Sequence, residues 1–404
     1  MQVRNIALLG HKDHGKSTLI GRLLMQTGAA TRVRIREAQE YSKRLGRGFE
    51  PAFILDSFTE ERLNEMTYDT TRAEIKHRGM ALAFIDVPGH EELIKNMISG
   101  ASYGEVAVLL VSAKPDEGIR GQTKRHLFVA RMLGIDRLIV AVNKMDTVNY
   151  DEERFRAIEM GLRGFISAIG FDERNVAFVP ISAYDGENTV KRSARMRWYG
   201  GKPLVEMIYE SAKKATPKAT GMLRIAVQGT LPGGLVAGKI VSGSVRAGEM
   251  VAILPKGAAV KVRNITVKGA VVKVGNAGNN VALALAGTLP KEMRGTIISG
   301  ISSRPIVTDR IRLRVFVTGA FGRAMSVKFN GIDIPCRKVR VLRVIDTMTG
   351  ALRQGPPRLL DAVEAEITLS RKVPVEGYAI TPELGRFVLY NKGMFAGIGI
   401  IEPE

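Results

Sequence analysis

Cysteine is almost missing from these 404 residues: Cys336 stands alone. That excludes an internal disulfide and a metal site built on cysteines, and it suits a reducing compartment, the cytoplasm. Long apolar runs are missing as well. None reaches the length that spans a bilayer, so no membrane partner is expected. The opening stretch Val3-Arg4-Asn5-Ile6-Ala7-Leu8-Leu9 is too short for a signal segment and leads into a glycine motif, so it reads as a first core strand. Acidic charge is scarce in one region: residues 221–305 hold 2 Asp+Glu against 11 Lys+Arg, within a chain of net charge +20. A clustered basic field attracts polyanions through counterion release. RNA is the expected contact, and general solubility or adaptation to heat is the competing account.

What is present is apolar content, 45% of the chain, spread over a length that calls for two or three domains. The first ~215 residues alternate strand-like and helical runs, the pattern of a parallel α/β sheet. Strands are expected at 3–9, 81–86, 105–112, 137–143 and 177–181, and helices at 16–27, 91–100, 121–133 and 151–169. The polar, proline-containing stretch 213–220 reads as a linker. Beyond it, short β-branched runs between glycine turns (235–241, 250–254, 260–267, 281–285) indicate an antiparallel barrel. A second all-β unit begins near Ser303-Arg304-Pro305, with strands at 310–317, 338–345, 362–369 and 385–390.

Gly10-His11-Lys12-Asp13-His14-Gly15-Lys16-Ser17 fits GxxxxGK[ST], after a strand and opening a helix, which is the context of a P-loop. Its glycines let backbone N–H groups curl around phosphates, and the helix N-terminus adds partial positive charge. Asp13, His14, Gly15, Lys16, Ser17 and Thr18 are the expected nucleotide contacts, with Lys16 reaching the β- and γ-phosphates and Ser17 ligating Mg²⁺. Asp86-Val87-Pro88-Gly89 ends a second strand, where Asp86 can hold Mg²⁺ through water and the Gly89 N–H can sense the γ-phosphate. Asn143-Lys144-Met145-Asp146 ends a third. Asp146 can accept from guanine N1–H and its exocyclic amine, a donor pair adenine lacks, and the Lys144 stem can lie along the base. Ser182-Ala183 ends a fourth, where a backbone N–H can bind the guanine carbonyl. One such motif fits a chance glycine turn; four in this order do not. GTP, GDP and Mg²⁺ are therefore the expected ligands.

At these residues the chain resembles the translational GTPases of the elongation factor Tu and elongation factor 1-alpha clade. The likeness covers nearly the whole chain. It includes residues 10–28, the switch I-like run 56–69, the switch II-like run 86–102 (DVPGHEELIKNMISGAS) and Arg197-Trp198-Tyr199-Gly200-Gly201. The resemblance implies an α/β P-loop GTPase domain with helices on both sheet faces (1–216), then two antiparallel β-barrels, one basic (221–303) and one C-terminal (306–404). It gives Thr67 to Mg²⁺ and the γ-phosphate, and His90 to orienting the attacking water. His11 and His14 are expected to be structural parts of the loop. The ribosome, tRNA or a tRNA-mimicking protein, and a nucleotide exchange factor are the implied partners. The implied activity is GTP hydrolysis, slow without a partner.

The chain departs from the clade at several places. Lys12 stands where valine is usual; its ammonium can add charge near the phosphates, repel a protonated His90, or point to solvent. Glu65 replaces a glycine of switch I. The run Ile225-Ala226-Val227-Gln228-Gly229-Thr230-Leu231 has neither the carboxylates nor the aromatic rings that line an aminoacyl pocket. Ser326-Val327-Lys328-Phe329-Asn330-Gly331 stands where the clade has a His-x-His-Thr stretch. Two other functions stay open: the regulatory GTPase of sulfate adenylyltransferase, and a non-hydrolysing GTP-dependent RNA or ribosome adaptor.

Overall fold

The computed structural model describes residues 3–46, 48–54, 72–86, 105–215, 221–322 and 324–402. By contact density the chain divides into one unit of residues 1–216 with 347–350 and a second of 217–346 with 351–404.

The first unit is built on a six-stranded sheet: β1 (Val3–Gly10), β2 (Arg72–His77), β3 (Met80–Asp86), β4 (Val106–Ser112), β5 (Leu138–Asn143) and β6 (Val176–Pro180). Their spatial order is β2-β3-β1-β4-β5-β6. Only β2 runs antiparallel to its neighbour. Every residue of β4 and β5 is buried, as expected for central parallel strands covered on both faces, which read as unbroken apolar runs. Helices α1 (Lys16–Gln26), α2 (Arg32–Arg44), α3 (Gly121–Met132), α4 (Glu152–Ala168) and α5 (Leu204–Lys214) accompany the sheet. In α4 the Asp151 side chain accepts the Arg154 N–H to cap the first turn, and Phe155, Ile158, Leu162, Phe165 and Ile166 form its buried stripe. That spacing of three and four residues keeps one helical face apolar. Each such side chain, fully buried, contributes about 1.5–3 kcal/mol.

The register places the expected loops together. Gly10 pairs with Leu110, Leu8 with Asp86, Ser112 with Asn143 and Val142 with Pro180, all parallel. The carboxyl ends of β1, β3, β4, β5 and β6 therefore lie along one edge. The order reverses at β1, between β3 and β4, which is where open α/β sheets take ligands.

The second unit holds two closed antiparallel barrels of six strands. In the first, Met250–Leu254, Ile297–Gly300, Arg224–Thr230, Val236–Ser242, Asn280–Ala286 and Ala258–Val267 follow one another, and the last pairs back on the first. In the second, Met325–Phe329, Arg386–Asn391, Met394–Ile401, Ile306–Val317, Ala362–Val375 and Ile332–Ile345 close in the same way. Closure leaves no open sheet edge. Each barrel has its own apolar core, one around Ile225, Val262 and Leu283, the other around Leu313, Ile334 and Ala365.

The expected strands are present within a few residues of their bounds. The helix expected at 91–100 lies outside the described residues. Several elements went unpredicted, among them helix α2 and strand β2. Helix α2 buries only Ala38 and Ser42, so it has no apolar stripe to read. Strand β2 is a polar edge strand with sequence RAEIKH.

Candidate nucleotide site

The loop after β1 turns on two glycines. Gly10 has φ +142° and Gly15 φ +84°, in the region that disfavours a side chain. A Cβ on Gly15 would stand 2.5 Å from Asn143 Nδ2. Lys16 is buried, and its ammonium donates to the Gly10 and His11 carbonyls at 3.0 and 3.1 Å. It is thus held at the mouth of the loop. The first backbone bond into α1 is Leu19 N–H to the Gly15 carbonyl. The Ser17 and Thr18 amides precede it, in the turn where a helix offers N–H groups to anions. The Thr18 hydroxyl, by contrast, donates to Glu50 at 2.9 Å, so Thr18 has only its amide for a phosphate. Asp13 and Lys12 are exposed.

His14, expected both among the nucleotide contacts and as a structural part of the loop, has its side chain turned inward. It is 1% exposed, and its Nδ1 meets the Leu110 carbonyl at 3.0 Å. Burial drives its pKa down to about 4, against the upward pull of that carbonyl, and the charge of His11 lowers it further. His126 on α3 is buried beneath the same loop and lowered to about 3, by burial first and then by Lys16, His11 and His14. Both rings are therefore neutral at pH 7.

The Asn143–Asp146 segment has two faces. Asn143 is buried and acts as a bracket: its Nδ2 donates to the His14 carbonyl at 2.9 Å and its Oδ1 accepts the Ala183 N–H at 2.9 Å. One side chain thus joins the loops after β1, β5 and β6. Lys144 takes a left-handed backbone (φ +65°) and its ammonium reaches Glu117 at 2.7 Å. Asp146 keeps a buried Oδ1 that no donor among the described residues satisfies. A buried unpaired carboxylate oxygen costs free energy until a donor arrives, and guanine supplies two.

The N–H groups of the Ser182-Ala183 turn both have partners within the protein. The Ser182 N–H goes to the Glu187 carbonyl, and the Ala183 N–H to Asn143. The reason is local: the Asn143 oxygen, buried with its amide turned to His14, needs a donor. The turn is also held from α1, where Arg22 donates to the Ala183 carbonyl at 3.2 Å and to the Tyr184 carbonyl. Sequence reasoning missed Arg22 and Glu117, because nothing in their spacing ties them to the loops they brace. Gly89, Thr67 and His90 lie outside the described residues, and of Asp86 only the strand position is described.

A P-loop, an aspartate-bearing base loop and the topology of the sheet together define a GTPase domain, here followed by two barrels. Residues 1–214 match the family "Elongation factor Tu GTP binding domain", and residues 319–402 match "GTP-eEF1A C-terminal domain-like". The chain is 33% identical to elongation factor 1-alpha of Aeropyrum pernix, over 98% of this chain and 95% of that one. It is 34% identical to elongation factor 1-alpha of Saccharolobus solfataricus, over 98% and 96%. The solved structure of Sup35 complexed with GDP shares 23% identity over 100% of this chain and 94% of that one, with a TM-score of 0.44. The chain belongs to the elongation factor Tu and 1-alpha family: it is a translational GTPase of the elongation factor 1-alpha type. Neither the sulfate adenylyltransferase reading nor the non-hydrolysing adaptor is favoured by these similarities. Among the described residues no helix is long and apolar enough to cross a membrane.

Proposed function

We propose that this chain binds GTP along the carboxyl edge of the sheet, hydrolyses it slowly alone and faster on the ribosome, and delivers a tRNA or a tRNA-shaped protein there. The observation that carries the reading is the buried Asp146 Oδ1, unsatisfied among the described residues, at the same sheet edge as the Lys16 ammonium. Asp146 reads guanine by accepting its donor pair. Lys16 and the first-turn amides of α1 take the phosphates. Ser17, Thr67 and Asp86 would hold Mg²⁺, which offsets phosphate charge when bound. Ser17 opens α1 beside Lys16, and Mg²⁺ needs only one or two protein groups besides phosphates and water. His90, next to Gly89 on the stretch after β3, orients the attacking water, and the exchange of bound GDP falls to a partner.

The cargo surface is altered. Along Arg224–Thr230, Ile225 and Val227 face the barrel core, while Gln228 and Thr230 are exposed. No carboxylate stands there to pair with an α-amino group. We assign residues 1–216, 221–303 and 306–404 to the GTPase domain, the basic barrel and the C-terminal barrel. In the basic barrel Lys261, Arg263, Lys268 and Lys273 are all exposed, and they form the surface offered to RNA phosphates.

Calorimetry on the nucleotide-stripped chain tests the first step: heat with GDP and GTP and none with ADP or ATP is expected, and equal heats reject the guanine site. Single-turnover hydrolysis with and without ribosomes tests the second. His90→Ala is expected to keep GTP binding and slow stimulated hydrolysis by more than ~100-fold, a usual loss for a group that positions a nucleophile. Equal rates remove His90 from the mechanism.

A further inference from the structure

We propose that Glu117 is a positioning residue for the guanine base: it fixes the Lys144 side chain as the platform on which the base lies, and so sets how long a guanine nucleotide stays bound. The inference rests on the assignment of Asn143–Asp146 as the base site.

The loop after β4 carries Glu117, and two arginines hold that loop in shape. Arg154, from α4, donates to the Ala113 carbonyl at 2.7 Å and the Lys114 carbonyl at 3.1 Å. Arg120 donates to the Glu117 carbonyl at 2.7 Å and to that of Asp116. Four of the five carbonyls in residues 113–117 are thereby tied down. The Glu117 carboxylate projects from this braced loop to Lys144 at 2.7 Å, with Lys114 at 3.5 Å. Burial pushes the Glu117 carboxyl up, but hydrogen bonds from Lys144 and Ser112 and the charges of Lys144 and Lys114 outweigh it and lower it to about 2. It is therefore ionised at neutral pH.

Lys144 needs such a hold. A four-carbon stem with a free ammonium samples many rotamers and loses that freedom when a base settles on it. Tied at its tip, and set by a left-handed backbone at its root, the stem is ordered before the nucleotide arrives. Preorganisation of this kind raises affinity by lowering what binding must order. The left-handed φ at a lysine is itself costly and marks a constrained site. Asp146, two residues on, reads the edge of the same base, so Glu117 acts on the face while Asp146 acts on the edge.

The test uses the full chain with a fluorescent GDP analogue in stopped flow, and tripolyphosphate as a competitor that has no base. Glu117→Gln is expected to speed GDP release roughly 3- to 10-fold, the lower part of the range for a charge-assisted hydrogen bond once solvent screening is allowed for. Tripolyphosphate affinity is expected to stay within two-fold, roughly measurement error for a group remote from phosphate. On a Lys144→Met background Glu117→Gln is expected to add nothing, and Glu117→Asp is expected to restore part of the loss. Unchanged GDP release in Glu117→Gln overturns the proposal, as does a parallel loss of tripolyphosphate binding, which would mark general loop damage. Asp146→Asn serves as the separate control: if it leaves GDP affinity intact, the base-site assignment fails; if it weakens GDP while Glu117→Gln does not, only the platform role fails.

Discussion

Acid should loosen the GTPase unit well before its carboxylates titrate, and two histidines set the size of the effect. His14 and His126 are 1% and 6% exposed, and their pKa values fall from 6.5 to about 4 and about 3. In the unfolded chain both take up a proton near pH 6.5; in the folded chain neither does until much lower. The unfolded state thus binds more protons between those limits, so stability is full above pH 6.5 and drains away as pH falls toward 4 and then 3. Integrated from pH 7 to pH 5, each histidine costs roughly 2 kcal/mol, or ~4 kcal/mol together, a large part of the 5–15 kcal/mol that holds a domain folded. Glu117 acts in the same direction, but at lower pH. Its depressed pKa adds stability above the usual 4.5 that is lost as pH falls through about 2, outside this window. Trp198, the only tryptophan, packs against Phe155 in this unit, so its fluorescence reports the first unit selectively. Urea unfolding followed by Trp198 at pH 7 and pH 5 should show a fall of that order, and His14→Asn with His126→Phe should flatten it. An equal fall in the double variant would refute the assignment.

Asp146→Asn should weaken GDP and GTP and shift preference toward xanthine nucleotides, since the amide donates where an acceptor was needed; unchanged GTP affinity in calorimetry would count against the site. Lys16→Ala should lose nucleotide, because no other buried cation reaches the Gly10 and His11 carbonyls among the described residues; GTP retained through gel filtration would refute it. RNA affinity should fall steeply with salt if the basic barrel neutralises several phosphates, and a flat salt series would reject that surface.

Of the four strand-end loops expected from the sequence, those after β1, β5 and β6 follow strands whose ends lie along one sheet edge, and the one after β3 lies outside the described residues. Glycine at 15 is legible because φ there is +84°, and the acidic residue at 146 is legible as the expected answer to the two donors of guanine. The strands were legible where burial is complete, as in β4 and β5. What escaped was cooperation at long range. Asn143 reads as part of a base motif, yet it joins His14 to Ala183 across 129 and 40 residues, and no local pattern announces that. Glu117 and Arg154 are ordinary charges until the fold sets one against Lys144 and the other against the Ala113 carbonyl. His14 was legible as a structural part of the loop, but that the Leu110 carbonyl in the core holds its ring was not. Thr67 and His90 are supported by family likeness rather than geometry.

The barrels raise a question of cost. Arg224 begins the first barrel and is 1% exposed; Glu376, at the end of the long Ala362–Val375 strand of the second, is 7% exposed. They meet in a doubly hydrogen-bonded ion pair at 2.5 and 3.0 Å, with the Thr381 hydroxyl on the same carboxylate and the Leu223 carbonyl on the guanidinium. Taking two charges out of water costs several kcal/mol per ion, and an apolar pair of equal volume would often be as stable. What the ion pair adds is direction: a fork of N–H groups fits one carboxylate in one orientation, whereas apolar surfaces can slide. Asn330 reinforces it by donating from the second barrel to the Thr296 carbonyl of the first at 2.9 Å. Parting the barrels would strand both charges, so the pair is held as one body.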